Sequence, residues 1–244
     1  MKGMLVPLFL LFSIAAFSQD DEPEWKEPGK ESQAYHEYRL RFTTPPYGLA
    51  KVQALIKKIK FDEENETEAL DSKSYASLSL REKFTYAMIH GESYSQNCDA
   101  MPPIQEEQKK IFAYVPDVFG EYAWSERQTK FLKDNRDSII MLIKESVTRA
   151  KRVGVNYKNA ILEINAWEMI PFLVQQYNAT KKDKDILTLL MQLMRDNNYE
   201  PFVKSASFRK LYGDDANYLS CLDYNSANEQ LIIKRATDFY NGVK

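Results

Sequence analysis

From Ile139 onward the chain repeats one pattern, and that pattern leaves little choice of fold. Ile139, Ile140, Ile143, Val147 and Ala150 recur at helical spacing. Gly154 follows Lys151-Arg152 and reads as the stop of this helix, the two cations suiting the negative end of its dipole. A second helix is expected from about Tyr157, with Ile161, Ile164 and Trp167 inward, and Pro171 kinks or restarts it. Ile186, Leu187, Leu190, Leu193 and Met194 mark a third, begun by Asp183 or Asp185. Pro201 to Tyr212 reads as a fourth, opened by a proline that a first helical turn tolerates and closed by Gly213. The last runs from Ala227 to Tyr240.

Earlier in the chain the same signals recur. Leu49, Val52, Leu55, Ile56 and Ile59 form one stripe, followed by an acidic, solvated loop in "FDEENETEALDSK". Ser79-Leu80-Arg81-Glu82 has the form of a capping box, in which serine accepts from the backbone three residues on and glutamate reaches back. Phe84 and Met88 follow on a helix that Gly91 is expected to end in the left-handed conformation. Further boxes stand at Ser125 to Gln128 and Ser226 to Glu229. Only 8 of 244 residues are glycine, too few for the tight turns of an all-β chain.

The connections are short, so successive helices are expected to be antiparallel neighbours. Similar starts near residues 136, 183 and 227 give a spacing of about 44 to 47 residues, within the range of helix-pair repeats. The expectation is a mostly α fold, with antiparallel helix pairs in a stacked α-α layer or short solenoid-like bundle, forming one domain over 46–244. Residues 19–33 are polar and read as a tether. In "EYRLRFTT", Tyr38, Leu40 and Phe42 alternate with polar residues, so 19–45 reads as a polar tether and extended N-terminal arm.

The first 18 residues have the form of a cleavable signal. A minimal basic end precedes a short apolar core, and Ala16 and Ser18 supply the small residues of a cleavage site. Cys98 is the first cysteine, so no lipid-anchor cysteine follows the apolar core. The mature chain, beginning at Gln19, is expected to be secreted or periplasmic and without a transmembrane segment. The formal net charge of −2 gives no electrostatic reason to expect nucleic acid as a partner.

Metal and cofactor chemistry find little support. His36 and His90 stand 54 residues apart, with no H-x-x-x-H and no C-x-x-C. "DEENETEALD" lacks the glycine that a calcium loop needs at its sixth position. No cofactor is expected. In an oxidising compartment Cys98 and Cys221, the two cysteines of the chain, are expected to form a disulfide.

One stretch suggests catalysis. "AMIHGES" (Ala87 to Ser93) resembles the first motif of the lytic transglycosylases, in which an apolar helix ends in a Glu-Ser pair. That resemblance implies a peptidoglycan-cleaving enzyme with Glu92 as its catalytic acid and base. "LLMQLM" (Leu189 to Met194) and "QYNA" (Gln176 to Ala179) look like two further motifs of that family. Here, however, they stand in reversed order, and Thr180 replaces the glycine after Tyr-Asn-Ala. The other reading of the stretch is a polar loop, with Gly91 ending a helix and Cys98 pinning the far end.

Aromatic residues make up 13% of the chain and crowd into "IFAYVPDVFGEYAW" (Ile111 to Trp124). Tyr114, Phe119, Tyr122 and Trp124 are the candidate partner surface, since such side chains favour binding faces as well as core edges. The leading expectation is a helical binding or scaffold protein acting on another protein or a cell-envelope component. The glycan-cleaving enzyme is the alternative.

Overall fold

The computed structural model describes residues 27–95 and 102–243. The helices among them are α1 (Lys30–Leu40), α2 (Leu49–Ile56), α3 (Ser72–Ala76), α4 (Leu80–Ile89), α5 (Glu126–Asp134), α6 (Arg136–Ala150), α7 (Val155–Glu163), α8 (Ile170–Thr180), α9 (Asp185–Asp196), α10 (Glu200–Val203), α11 (Ala206–Tyr212) and α12 (Ser226–Val243). The mostly α class is therefore observed. None of these helices is long and apolar enough to cross a membrane.

Helix α9 is the axis of the core. Every residue from Asp185 to Met194 is buried, and α7, α8, α10 and α12 all lie against it. The sequence suggested one apolar stripe, but neighbours on all sides cover the whole circumference. Asp185, Thr188 and Gln192 are thereby drawn into the interior with the leucines. A smaller second cluster gathers Val52 of α2, Leu70, Leu78 and Tyr86 of α4.

Local signals account for many helix ends. Both Ser79 and Ser125 form complete capping boxes, with Glu82 and Gln128 as their reciprocal partners. Pro171 restarts the chain as α8 after a short 3-10 turn at Trp167–Met169. The stretch expected as one helix from Pro201 to Tyr212 is two, because Ser205 caps α11 by accepting from Phe208 N. At the last helix the cap is Asn225 rather than Ser226: Asn225 Oδ1 accepts from Asn228 N at 2.9 Å.

Two glycines have a different role from the one expected. Helix α4 ends with His90 in extended backbone, and Gly91 is not left-handed. A Cβ on Gly91 would stand 2.8 Å from the Phe119 ring and 2.9 Å from Ala123 O, so close approach is what this position requires. Likewise α6 ends on Lys151, which takes the left-handed conformation itself (φ 55°). Gly154 instead precedes α7 in extended backbone, and a Cβ there would stand 2.2 Å from Thr43 N.

The N-terminal stretch departs from the expectation of an extended arm. Residues 30–40 are the helix α1, and extended backbone begins only at Arg41. The buried side chains of α1 are Ser32, Tyr35 and Arg39. Its inward face is largely polar, so apolar periodicity does not report it. The extended residues after it are stitched to α7: Val155 N donates to Arg41 O at 3.1 Å. Buried Asn156 accepts from Thr43 N at 3.0 Å and donates to Thr43 O at 2.9 Å and Met88 O at 3.0 Å.

Two small antiparallel pairings complete the fold. Strand β1 (Ser93–Tyr94) pairs with β3 (Tyr122–Ala123), with Tyr94 opposite Tyr122. Strand β2 (Lys110–Phe112) pairs with β4 (Cys221–Asp223), with Phe112 opposite Cys221. Runs of two or three residues are too short to show a period of two.

Candidate functional site

Glu92 lies between α4 and β1 and is 1% exposed. Tyr86 donates its hydroxyl to Glu92 Oε1 at 2.7 Å. Arg127 donates Nε to both carboxylate oxygens, at 3.0 and 2.8 Å, and its Nη2 also donates to Oε1. Ser125 donates its hydroxyl to Oε2. The backbone is held as well, since Glu92 N donates to Gln128 Oε1 at 3.2 Å and Gln128 Nε2 donates to His90 O at 2.8 Å. The capping box of α5 thus doubles as the cradle of Glu92.

This arrangement locks three segments together. Arg127 also donates to Leu70 O at 2.6 Å and lies over the Tyr75 ring at 4.3 Å. Burial, and then the neighbouring Glu92, push the Tyr86 hydroxyl far above its ordinary value, so it remains a donor. His90 is half-buried against Tyr86 and holds Glu68 O at 2.5 Å through Nε2. It is a packing residue with a satisfied ring nitrogen. Ser93 pairs in β1.

Three of the four aromatic residues singled out in the sequence, Tyr114, Tyr122 and Trp124, border two clefts that share a wall. The first, about 500 Å³, is lined by Tyr122 and Trp124 together with Asp117, Val118, Lys133, Asn159, Leu162 and Glu163. The second, about 710 Å³, is lined by Tyr114 with His36, Arg39, Leu40, Phe112, Val115, Leu162, Gln192 and Tyr218. Asp117, Val118, Gly120, Asn159 and Leu162 belong to both. Phe119 packs behind this loop, edge-on to Phe42 at 5.8 Å and to Trp124 at 5.9 Å. Trp124 is anchored by its indole N–H, which donates to Ala87 O at 2.6 Å. Tyr114 stands 43% exposed at the opening, edge-on to Tyr212. Glu92 is not among the residues that line either cleft.

Beneath the second cleft lies a buried charge network that sequence reasoning missed. Arg39 Nη1 donates to Glu107 Oε1 at 2.7 Å, and its Nε donates to both oxygens of Asp185, at 2.9 and 3.1 Å. His36 Nδ1 lies 3.0 Å from Glu107 Oε2. Lys158, fully buried on α7, donates to Asp183 Oδ1 at 2.7 Å and stands 3.8 Å from Asp185 Oδ2. Burial penalises the charged form of Glu107, but the hydrogen bonds and charges of His36 and Arg39 outweigh it and hold its carboxyl below the ordinary value. Burial pushes the Asp183 carboxyl up, against the pull of Lys158. The only hint in the sequence was negative: the charged Asp185 begins an otherwise apolar helix.

Among the described residues no group of three or more His, Cys, Asp or Glu is placed to hold a metal ion. His36 and His90 belong to separate clusters, one at Glu107 and the other at Glu68. Cys221 is half-buried on β4. Cys98 and the expected signal segment 1–18 lie outside the described residues. No family model, no curated protein and no solved structure matches this chain.

Proposed function

We propose that this chain is an extracytoplasmic helical binding or scaffold protein that engages another protein or a cell-envelope component through the face bearing Tyr114, Phe119, Tyr122 and Trp124. One observation carries the reading. The aromatic segment rims two adjoining clefts, and Leu40, Tyr114 and Tyr218 stand exposed around the second of them. Exposed apolar side chains grouped about a concavity are the usual mark of a recognition surface. Helices α8, α9 and α12 lie against one another, which supports a stacked, scaffold-like layer.

The alternative, a peptidoglycan-cleaving enzyme using Glu92, draws its support from "AMIHGES". The geometry favours the binding reading over it. A catalytic acid must present a free oxygen to its substrate. Both oxygens of Glu92 are engaged by Tyr86, Ser125 and Arg127, and the group is enclosed.

The test is capture of partners from the native envelope fraction by the exported protein. A Tyr114→Ala, Tyr122→Ala double variant is expected to fold and to lose the captured partner. Equal capture by both proteins would sink the assignment of this face.

A further inference from the structure

The larger cleft is lined by two polar groups that are neither surface side chains nor fully partnered. Arg39 is 4% exposed and Gln192 5% exposed. Arg39 donates through Nε to Asp185 and through Nη1 to Glu107. Gln192 accepts from Val115 N through Oε1 at 3.0 Å. Among the described residues Arg39 Nη2 and Gln192 Nε2 have no acceptor, yet neither is an enclosed, unpartnered atom. Both side chains line the cleft. A donor in such a position goes unmet unless water or a ligand oxygen reaches it.

The charge balance selects the ligand. Arg39 is already matched by two carboxylates, Glu107 and Asp185, and the exposed Asp117 stands on the rim. An anionic head would find no surplus positive charge there. An ammonium head carries donors only and could accept from neither Arg39 Nη2 nor Gln192 Nε2. A neutral carbonyl oxygen accepts from both donors and carries no charge to desolvate. Phe112, Val115 and Leu162 give the lining an apolar part, beside the polar His36 and Asn159. The volume, about 710 Å³, lies within the roughly 300–1,000 Å³ typical of small-molecule sites.

We infer that this cleft binds a neutral small molecule with an apolar body and one carbonyl oxygen. The oxygen accepts from Arg39 Nη2 and Gln192 Nε2, and the body lies along Phe112, Val115 and Leu162. This does not rest on the protein-partner reading, because Arg39, Gln192, Phe112, Val115 and Leu162 are not among the four aromatic residues of that reading.

The experiment titrates the methyl-labelled full chain with octanamide, octanoate and octylamine, following the Val115 and Leu162 methyl signals by NMR. These probes share one apolar chain and differ only in the head. Octanamide is expected to give saturable shifts, with the two charged probes at least tenfold weaker. Leu162→Trp, which fills the cleft, is expected to weaken octanamide at least tenfold. Val118→Trp, at a second residue of the lining, serves if that variant fails to fold. Gln192→Leu is expected to remove most of the preference for the amide. The inference is overturned by no saturable shift, by equal affinity for the three probes, or by unchanged affinity in both tryptophan variants. It is overturned equally if an apolar peptide shifts these signals and octanamide does not, which would move the cleft to a protein partner.

Discussion

Arg39 Nε lies 2.9 and 3.1 Å from the two oxygens of Asp185, a residue 146 positions later in the chain. This one pairing fastens α1, the first described helix, to the head of the most buried helix, α9. Arg39 also lines the larger cleft. Arg39→Met is expected to leave Asp185 and Glu107 buried without their cation. Breaking a buried pair in this way costs roughly 3–5 kcal/mol. Equilibrium denaturation in urea measures it, and a loss under about 1 kcal/mol would mean that α1 is not held by this network.

Glu107 makes the same network sensitive to acid. Its folded carboxyl lies below the ordinary value of 4.5 because His36 and Arg39 favour the charged form over the opposing effect of burial. A depressed carboxyl contributes stability that is whole above the ordinary value and drains away as pH falls through the folded one. Stability should therefore hold from neutral pH to about 5 and fall steeply below 4. Glu107→Gln should lower stability at pH 7 and flatten the acid limb. A variant whose pH profile runs parallel to the wild type would remove Glu107 from that account.

For Glu92 the expectation is structural. Glu92→Gln keeps the shape but removes the charge that Arg127 pairs with, and a hydrogen bond to a charged group is worth about 1.5–3 kcal/mol. The variant should unfold at lower denaturant by about that amount. Neither protein should release soluble muropeptides from purified peptidoglycan. Clear release by the wild type, abolished in the variant, would restore the enzyme reading.

Gly154→Ala tests the seam between the extended residues and α7. The added Cβ would stand 2.2 Å from Thr43 N and 2.7 Å from Phe42 C, both backbone atoms that cannot swing aside. Such overpacking costs typically 1–3 kcal/mol. Ordinary φ at this position (−65°) means that conformational strain is not the cause. Thermal melts of the variant beside Gly29→Ala, where an added Cβ meets nothing within 4 Å, separate the two effects. Equal melting temperatures would contradict the close approach.

The cysteines give a further test outside the described residues. If Cys98 and Cys221 are joined in the exported protein, thiol labelling under denaturing, non-reducing conditions finds no free sulfhydryl. Reduction should then lower stability by up to about 4–5 kcal/mol, since the loop closed is long. One free thiol per cysteine would end the disulfide proposal.

The helical class, most helix positions and several of their ends can be read from the residues alone. Those features are local. Capping at Ser79 and Ser125 needs partners three residues away, and the stripes of α6 and α9 show in any short window. The contact of Phe119 with Trp124 links near neighbours in the chain. The rest depends on contacts that exist only in the folded chain. Helix α1 turns a polar face inward because Glu107 and Asp185 wait there, so no apolar pattern announces it. Gly91 and Gly154 are glycine because of Ala123 and Thr43, which adjacent residues do not reveal. Glu92 reads as a catalytic acid in its own heptapeptide and as a buried ion-pair partner once Arg127, 35 residues on, is placed beside it. The physical reason is the same in each case. A carboxylate or a glycine takes its role from what folding brings within about 3 Å of it, and covalent neighbours supply little of that.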